Sequence, residues 1–503
     1  MARAADYYLD SSMGMDSRAG TSEAAAWRTV APLREVDLGP GDHVYFKRGG
    51  AFDTVNSSGS NAWDPGLLIE SSSSGSSGSP VTLTSYGSGA LPSIFNSRDG
   101  AGASAITLRG AYIVLDGLLF NNTRGSAVLI EESATHAVVT QCESNRVGSA
   151  VTTYGEYTLI TRNYFHDGTI IVNTPGGYDD YGANGVIVFS SNVEISYNRA
   201  ERLKTPSYDF TFDGGFVELA GTFDDVSIHH NDVRDSMGFF EGGNGDQRRI
   251  TVAYNLSVSN GGFSGFHIGD EFGGTVSGML IANNTIVETE ETSPVFWVSS
   301  APPAGSFTVQ NNIIVSPGGQ IYSNPGATVH THNRYPSGST LGVSLGTAES
   351  AGSAGFVPGG YHLAAGSAAI DVGTAAPYAT DLDGVPVPTG AGVDFGAYEY
   401  VVPGTDAGVA PVDLGVAPID LGTSMDLGAA SDLRPMLDMG VPPLDAGLLD
   451  DGSTQLDSDI PDATPPLQSG CSCNAAAGSA VPRASLALLM LALLAISLRR
   501  RRA

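Results

Sequence analysis

Asp213 to Asn255 reads DGGFVELAGTFDDVSIHHNDVRDSMGFFEGGNGDQRRITVAYN, one phrase said twice. Gly215-Phe-Val-Glu218-Leu leads to Val226-Ser-Ile-His-His-Asn231, and Gly238-Phe-Phe-Glu241-Gly leads to Ile250-Thr-Val-Ala-Tyr-Asn255. Self-similarity at a spacing of about twenty to fifty residues marks a solenoid, because one repeat cannot bury its apolar face alone and stacks on a neighbour. Each copy is one coil. Along an extended strand, alternation puts Val217 and Leu219 on one face, with Phe216 and Glu218 on the other; the second copy puts Phe240 inside, with Phe239 and Glu241 outside. Coils in register bring Glu218 and Glu241 onto adjacent strands about 4.8 Å apart. Two carboxylates that close share a proton or hold a cation.

The same grammar extends outward. Between Ala105 and Ser316, short β-branched runs each end near a polar anchor: Asn121, Cys142, Asn163, Asn198, Asn231, Asn255, Asn284 and Asn312. Steps of about twenty to thirty-five residues suit coils with variable loops and are too irregular for a left-handed hexapeptide helix. Crossovers between parallel strands favour the right hand. Asparagines at a shared corner predict a structural ladder in which each amide bonds the one above. Sixty-five glycines in 503 residues, with few charges, agree with short strands and turns.

The expected fold is therefore all-β: a right-handed parallel β-helix over residues 7–400, with the cap and first coils in 7–103, central coils in 104–320 and a closing segment in 321–400. Ser22 before an Ala-rich run, with Trp27, Val30 and Leu33 on one side, predicts a short N-terminal capping helix. From Gly404 the composition turns to Pro, Gly, Ala and Asp, with twelve Asp and one Arg in 404–467. A tract so charged and so poor in aromatics predicts a disordered, self-repelling stalk over 401–470. Residues 471–503 hold Cys471-Ser-Cys473, an apolar run from Leu486 to Leu498 and four arginines, a hydrophobic helix with a cytoplasmic C-terminus before processing.

A net charge of −29 excludes nucleic acid as a partner, since phosphate contacts need basic patches. The two lysines are Lys47 and Lys204. Three cysteines make no disulfide framework, and Cys142 reads as a buried filler. No apolar leader follows Met1, yet Ala2-Arg3-Ala4 suits the end of a cleavage site; residues 1–6 read as its remnant, with the leader expected upstream.

Several stretches resemble known families. Gly14, Asp16, Ser17, Gly20, Thr21, Trp27, Pro40, Gly41 and Asp42 match the opening of secreted, pectate-lyase-like right-handed β-helix proteins. Ser367-Ala-Ala-Ile-Asp371-Val-Gly373, Asp381-Leu-Asp383-Gly384 and Asp394-Phe-Gly-Ala-Tyr-Glu399 resemble the choice-of-anchor Q closing segment, with Val387-Pro388 where Arg-Pro is usual. The Asp381 element reads as a plain turn. The final residues resemble the MYXO-CTERM sorting signal, which implies export to the cell surface, a sorting protease acting near the cysteines and transient membrane anchorage.

Lyases of the β-helix family abstract a proton beside a uronate carboxylate with Lys or Arg, after Ca²⁺ or a positive group has neutralised it; glycosidases use carboxylate pairs. The resemblance thus implies a uronate-containing polysaccharide as partner of a monomeric enzyme, a lyase first and a hydrolase second, with a non-catalytic adhesin as the other class. Candidate catalytic residues are Lys204, Glu218, Glu241, Arg248 and His267. Candidate Ca²⁺ ligands are Asp213, Glu218, Glu241 and Asp246. Asp179, Asp180, Asp209, Asp270 and Glu271 complete the acidic neighbourhood.

Overall fold

The structure is a computed structural model. It describes residues 4–402 except Asn61 and the segments 262–264, 270–272, 290–293, 299–302, 318–319, 324–325, 327 and 336–340. Residues 403–503, which hold all but the first two residues of the expected stalk (401–470) and the whole of the expected sorting signal (471–503), lie outside the described residues, as do Asp270 and Glu271.

The chain is a parallel β-helix whose coils contribute to three sheets. Sheet I runs from Asp6–Leu9 through Phe223–His229 and Gln247–Ala253 to Thr328–Thr331. Sheet II runs from Ala51–Asp53 through Asp232–Arg234 to Ser350–Ala351. Sheet III runs from Leu67–Ile69 through Asn184–Val188, Gly215–Ala220 and Phe240–Asn244 to Phe296–Val298. Leu119–Ile130 and Glu143–Thr153 pass from sheet II into sheet III as continuous strands. Inward residues stack as apolar columns: Ile195, Ile228, Val252, Ile281 and Val309 are register partners, each 0–1% exposed.

The corner from sheet I to sheet II repeats one device. A left-handed residue, among them Arg162, Tyr197, His230, Tyr254, Asn283, Asn311 and His332 (φ 52–58°), is followed by an asparagine. Asn163, Asn198, Asn231, Asn255, Asn284, Asn312 and Asn333 form the ladder. Each Oδ1 accepts the backbone and side-chain N–H of the asparagine before it, at 2.8–3.0 Å. Each Nδ2 also donates to a carbonyl of the preceding coil, as from Asn255 to Ile228 at 2.9 Å. Sequence separations of 21 to 35 residues between rungs show that loop length varies while the corner does not.

Two expectations change. Asn121 is not a rung: the register places Leu118 opposite Cys142, and Asn121 lies three residues further on, in sheet II, paired with Asn145. Asn333, which the sequence reading did not count, ends the ladder. Cys142 is buried at a rung position, its amide bonded to Asn163 Oδ1 at 3.0 Å, and burial pushes its thiol up to about 12.

The N-terminal cap is also different in kind. The chain forms 3₁₀ turns at Glu23–Ala25 and Pro32–Glu35 instead of an amphipathic helix, and Ser22 makes no side-chain cap. Pro32 and the short run between turns leave no length for helical propagation. Trp27, Val30 and Leu33 are nonetheless buried against the first coils. The first strand begins at Asp6, and the amide of Ala5 donates to Asp42 Oδ1 at 2.7 Å.

Residues 354–400 fold back over the ladder corner. Thr374 N donates to Asn311 Oδ1 at 2.9 Å, Asn283 Nδ2 to the Asp394 carbonyl at 3.1 Å, and Tyr378 stacks on His229 at 4.3 Å. His229 and His230 are therefore both buried, although alternation alone buries one. Asp381 Oδ1 takes the amides of Asp383 and Val385 at 2.9 and 2.7 Å, an Asx turn. Among the described residues no helix is long and apolar enough to cross a membrane.

Replacing Asn255 by Ala removes the acceptor of two Asn231 donors and leaves the Ile228 carbonyl without its partner. The expected cost is about 2–4 kcal/mol, read from the urea midpoint. Asn121→Ala, which loses the Ser93 hydroxyl contact, costs less than about 1 kcal/mol. Equal losses would remove the special status of the corner.

Candidate functional site

Because the ladder fixes register, the outward column of sheet III is fixed with it. Ile187, Glu218, Glu241, His267 and Trp297 are consecutive register partners. The predicted pairing of Glu218 with Glu241 is thus present, and His267 stands beside it: Nδ1 lies 3.3 Å from Glu241 Oε1. Trp297 meets His267 edge-on at 6.4 Å between ring centres. Phe216 and Phe239, expected outside with the glutamates, are instead buried in the core, where both rings pack together and Phe239 meets Phe266. Both sit where the chain turns into sheet III: Phe216 follows the positive φ of Gly214 and Gly215 (129° and 154°), and Phe239 precedes the strand Phe240–Asn244, so strand alternation does not yet govern them.

The two glutamates occupy unlike environments. Glu241 is 42% exposed at its side chain. Glu218 is half-buried; burial first, then the charges of Glu241 and Asp213, push its carboxyl up to about 8. Asn184 Nδ2 donates to Glu218 Oε2 at 3.1 Å, and the buried Asn184 Oδ1 has no partner. Exchanging the two amide atoms lets a protonated Glu218 donate to Asn184, the pairing a neutral carboxyl requires. Asp213, held up to about 7 by burial and by Glu241 and Asp180, accepts Gly214 N at 2.6 Å. Tyr181 is raised by burial and by the Glu218 charge. Asn184 and Tyr181 were not singled out from sequence; their common signal is position one coil before the Glu218 strand.

Two hairpins flank the column: Ile170–Val172 with Tyr181–Gly182, and Thr205–Ser207 with Thr211–Asp213. They carry the exposed aromatics Tyr178, Tyr208, Phe210 and Phe212. Carboxylate oxygens of Asp179, Asp180 and Asp209 come within 4.8 Å of one another between them, an all-oxygen set of the kind hard cations prefer. Asp180 already accepts Thr174 N, the Ser207 hydroxyl and Asp209 N at 2.6–3.0 Å.

The other predicted residues lie apart. Arg248 is on sheet I, bonded to its register partner Asp224 at 2.8 Å. Asp246 caps the next coil, accepting the amide and hydroxyl of Thr275 at 3.1 and 2.9 Å. Lys204 sits at the foot of the second hairpin with its ammonium 4.6 Å from the centre of the Phe212 ring, and makes no ion pair among the described residues.

No family model matches the chain. It is similar in fold to the pectate lyase Pel9A (TM-score 0.54, 15% identity, 79% of this chain and 97% of that one), and more distantly to an alginate lyase from Paenibacillus sp. str. FPU-7 (TM-score 0.45, 14% identity, 65% and 99%). A stretch of 83 residues is 35% identical to the lacto-N-biosidase of Bifidobacterium longum subsp. longum, covering 16% of this chain and 4% of that protein. The fold is that of the pectate-lyase-like right-handed β-helices.

A carboxyl raised from its ordinary value binds a proton in the folded state that the unfolded chain has released. Glu218 therefore contributes stability at acidic pH that is lost as pH rises toward about 8, with Asp213 adding the same sign toward about 7. Between pH 5 and 9 the urea midpoint of the parent should fall, and that of Glu218→Gln should fall less. A parallel pair of curves would mean that Glu218 is ionised in the fold.

Proposed function

We propose that the protein is a carbohydrate-active enzyme of the glycoside-hydrolase kind, with Glu218 as proton donor and Glu241 as attacking carboxylate. The feature that supports it is the inequality of the pair: Glu218, half-buried, bonded to Asn184 and raised by burial and by neighbouring acids, beside the more exposed Glu241 next to His267. Glu218 gives its proton to the glycosidic oxygen as the C–O bond breaks, and Glu241 attacks the anomeric carbon. Glu218 then takes a proton from the water that displaces Glu241. Register partners on strands about 4.8 Å apart suit the retaining arrangement, whose carboxyls stand about 5–5.5 Å apart, better than the wider inverting one. The names of the similar proteins, pectate lyase and lacto-N-biosidase, share chemistry on carbohydrates and agree with this class.

Hydrolysis fits the site better than lyase chemistry. In the β-helix lyases that the sequence resembles, the base beside a neutralised uronate is a Lys or Arg. Arg248 is held on sheet I, and Lys204 lies on the other side of the Thr205–Asp213 hairpin from Glu218. Ca²⁺ has no chemical step in this reading; Asp179, Asp180 and Asp209 would hold it, ordering the two hairpins. Export, surface display, processing near Cys471 and Cys473 by a sorting protease, transient anchorage through Leu486–Leu498 and a monomeric state belong to the same proposal and rest on sequence.

On a glycan panel, Glu241→Gln and Glu218→Gln should each lower kcat by about 10²–10⁴ with the fold intact. The Glu218 variant should recover on aryl glycosides, whose leaving groups need no proton. Proton NMR of the first product should show retained anomeric configuration. If Glu241→Gln binds and turns over every glycan like the parent, the adhesin reading replaces this one.

A further inference from the structure

The Thr205–Asp213 hairpin divides two electrostatic environments. Thr205 pairs with Asp213, Pro206 with Phe212 and Ser207 with Thr211. Cross-strand partners share a face and neighbours along a strand alternate, so Asp213 and Ser207 lie on one face and Phe212 on the other. The first face meets the acids: Ser207 donates to Asp180 at 2.8 Å, and Asp213 feels Glu241. The second face borders a groove of about 610 Å³, in the size range of small-molecule sites, with Arg146, Lys204, Arg202, Asp167 and Asp235 on its walls.

Cations are scarce in this chain, 24 against 53 acids, and most in the described coils are spoken for. Arg202 is bonded to Asp167 at 2.6 and 3.0 Å. Arg146 and Lys204 make no ion pair among the described residues, and face one carboxylate without a cation, Asp235. Two unneutralised cations beside an exposed ring, Phe212 at 39% exposure, are a receptor for a flat-faced molecule bearing a negative group.

We propose that this groove is a second sugar site, which anchors a carboxylate-bearing sugar of the glycan. Lys204 and Arg146 take its carboxylate, and the face of its ring lies on Phe212. The site rests on the hydrolase reading and deepens it, by assigning the acidic sugar to a place across the hairpin from the reacting pair and from the acids Asp179, Asp180 and Asp209, which would repel it. The scissile unit itself carries no such charge.

Calorimetry with a uronate-containing oligosaccharide and its neutral counterpart tests it, on the full chain carrying Glu241→Gln so that turnover does not intrude. The acidic ligand should bind more tightly than the neutral one, with affinity falling as salt rises. Lys204→Met and Arg146→Met should each weaken it on the order of tenfold while neutral binding is unchanged, and Phe212→Ala should weaken both ligands several-fold; thermal melts confirm that each variant is folded. Equal affinity for the neutral ligand, or no effect of Lys204→Met, overturns the proposal. Equal competition by inorganic sulfate reduces the groove to a general anion site and overturns it too. Turnover by the Glu241 variant would sink the hydrolase reading and leave this binding result standing.

Discussion

A chain that must leave one sheet and enter the next within two residues needs a residue in the left-handed region, at a cost of about 1 kcal/mol when it carries a Cβ. Here the corner repeats that conformation coil after coil, mostly without glycine. The following asparagine offsets the strain by tying the coil before it to the next rung through one buried amide: Asn255 Oδ1 accepts Asn231 N, and its Nδ2 donates to the Ile228 carbonyl and to Asn284 Oδ1. A buried amide bonded on every side is costly to displace by one residue, since a slip strands donors and acceptors together. Register is the product of that cost.

Register then writes the site. Loops of different length project between the corners, yet Glu218, Glu241 and His267 meet because their strands pair in register, although they stand 13, 14 and 17 residues before the rungs Asn231, Asn255 and Asn284. Like charges on neighbouring strands disfavour stacking. The fold tolerates the pair because Glu218 can keep its proton, and the same proton is what an acid catalyst needs. On the hydrolase proposal, structural accommodation and chemistry coincide at this position.

The Glu218–Glu241 pairing was legible because both glutamates stand at equal distances from recognisable motifs, and period and alternation are local properties. Legibility failed where another part of the chain intervened. Phe216 and Phe239 break alternation at a corner, and His229 is buried by Tyr378 about 150 residues away in sequence. Asn121 carries the right side chain at the wrong phase, and only strand pairing separates it from Asn163. Lys204 and Arg248 are near the acids in sequence, but the 205–213 hairpin separates Lys204 from Glu218 and a corner separates Arg248 from Glu241, so sequence proximity there carries little spatial information.

The hairpins are the part of the body that the repeat does not dictate, and they set what the column can meet. Without the 205–213 hairpin, Lys204 and the Glu218 carboxyl would share one solvent-filled surface, and an ammonium nearby would favour the ionised carboxylate. With it, the cation is turned toward Phe212 while burial and acidic neighbours act on Glu218 unopposed. A single insertion thus makes two unlike environments from one acidic neighbourhood. It follows that shortening the hairpin should bring the Glu218 carboxyl down toward its ordinary range and remove the aromatic wall of the groove together, two changes that separate substitutions at either site cannot produce.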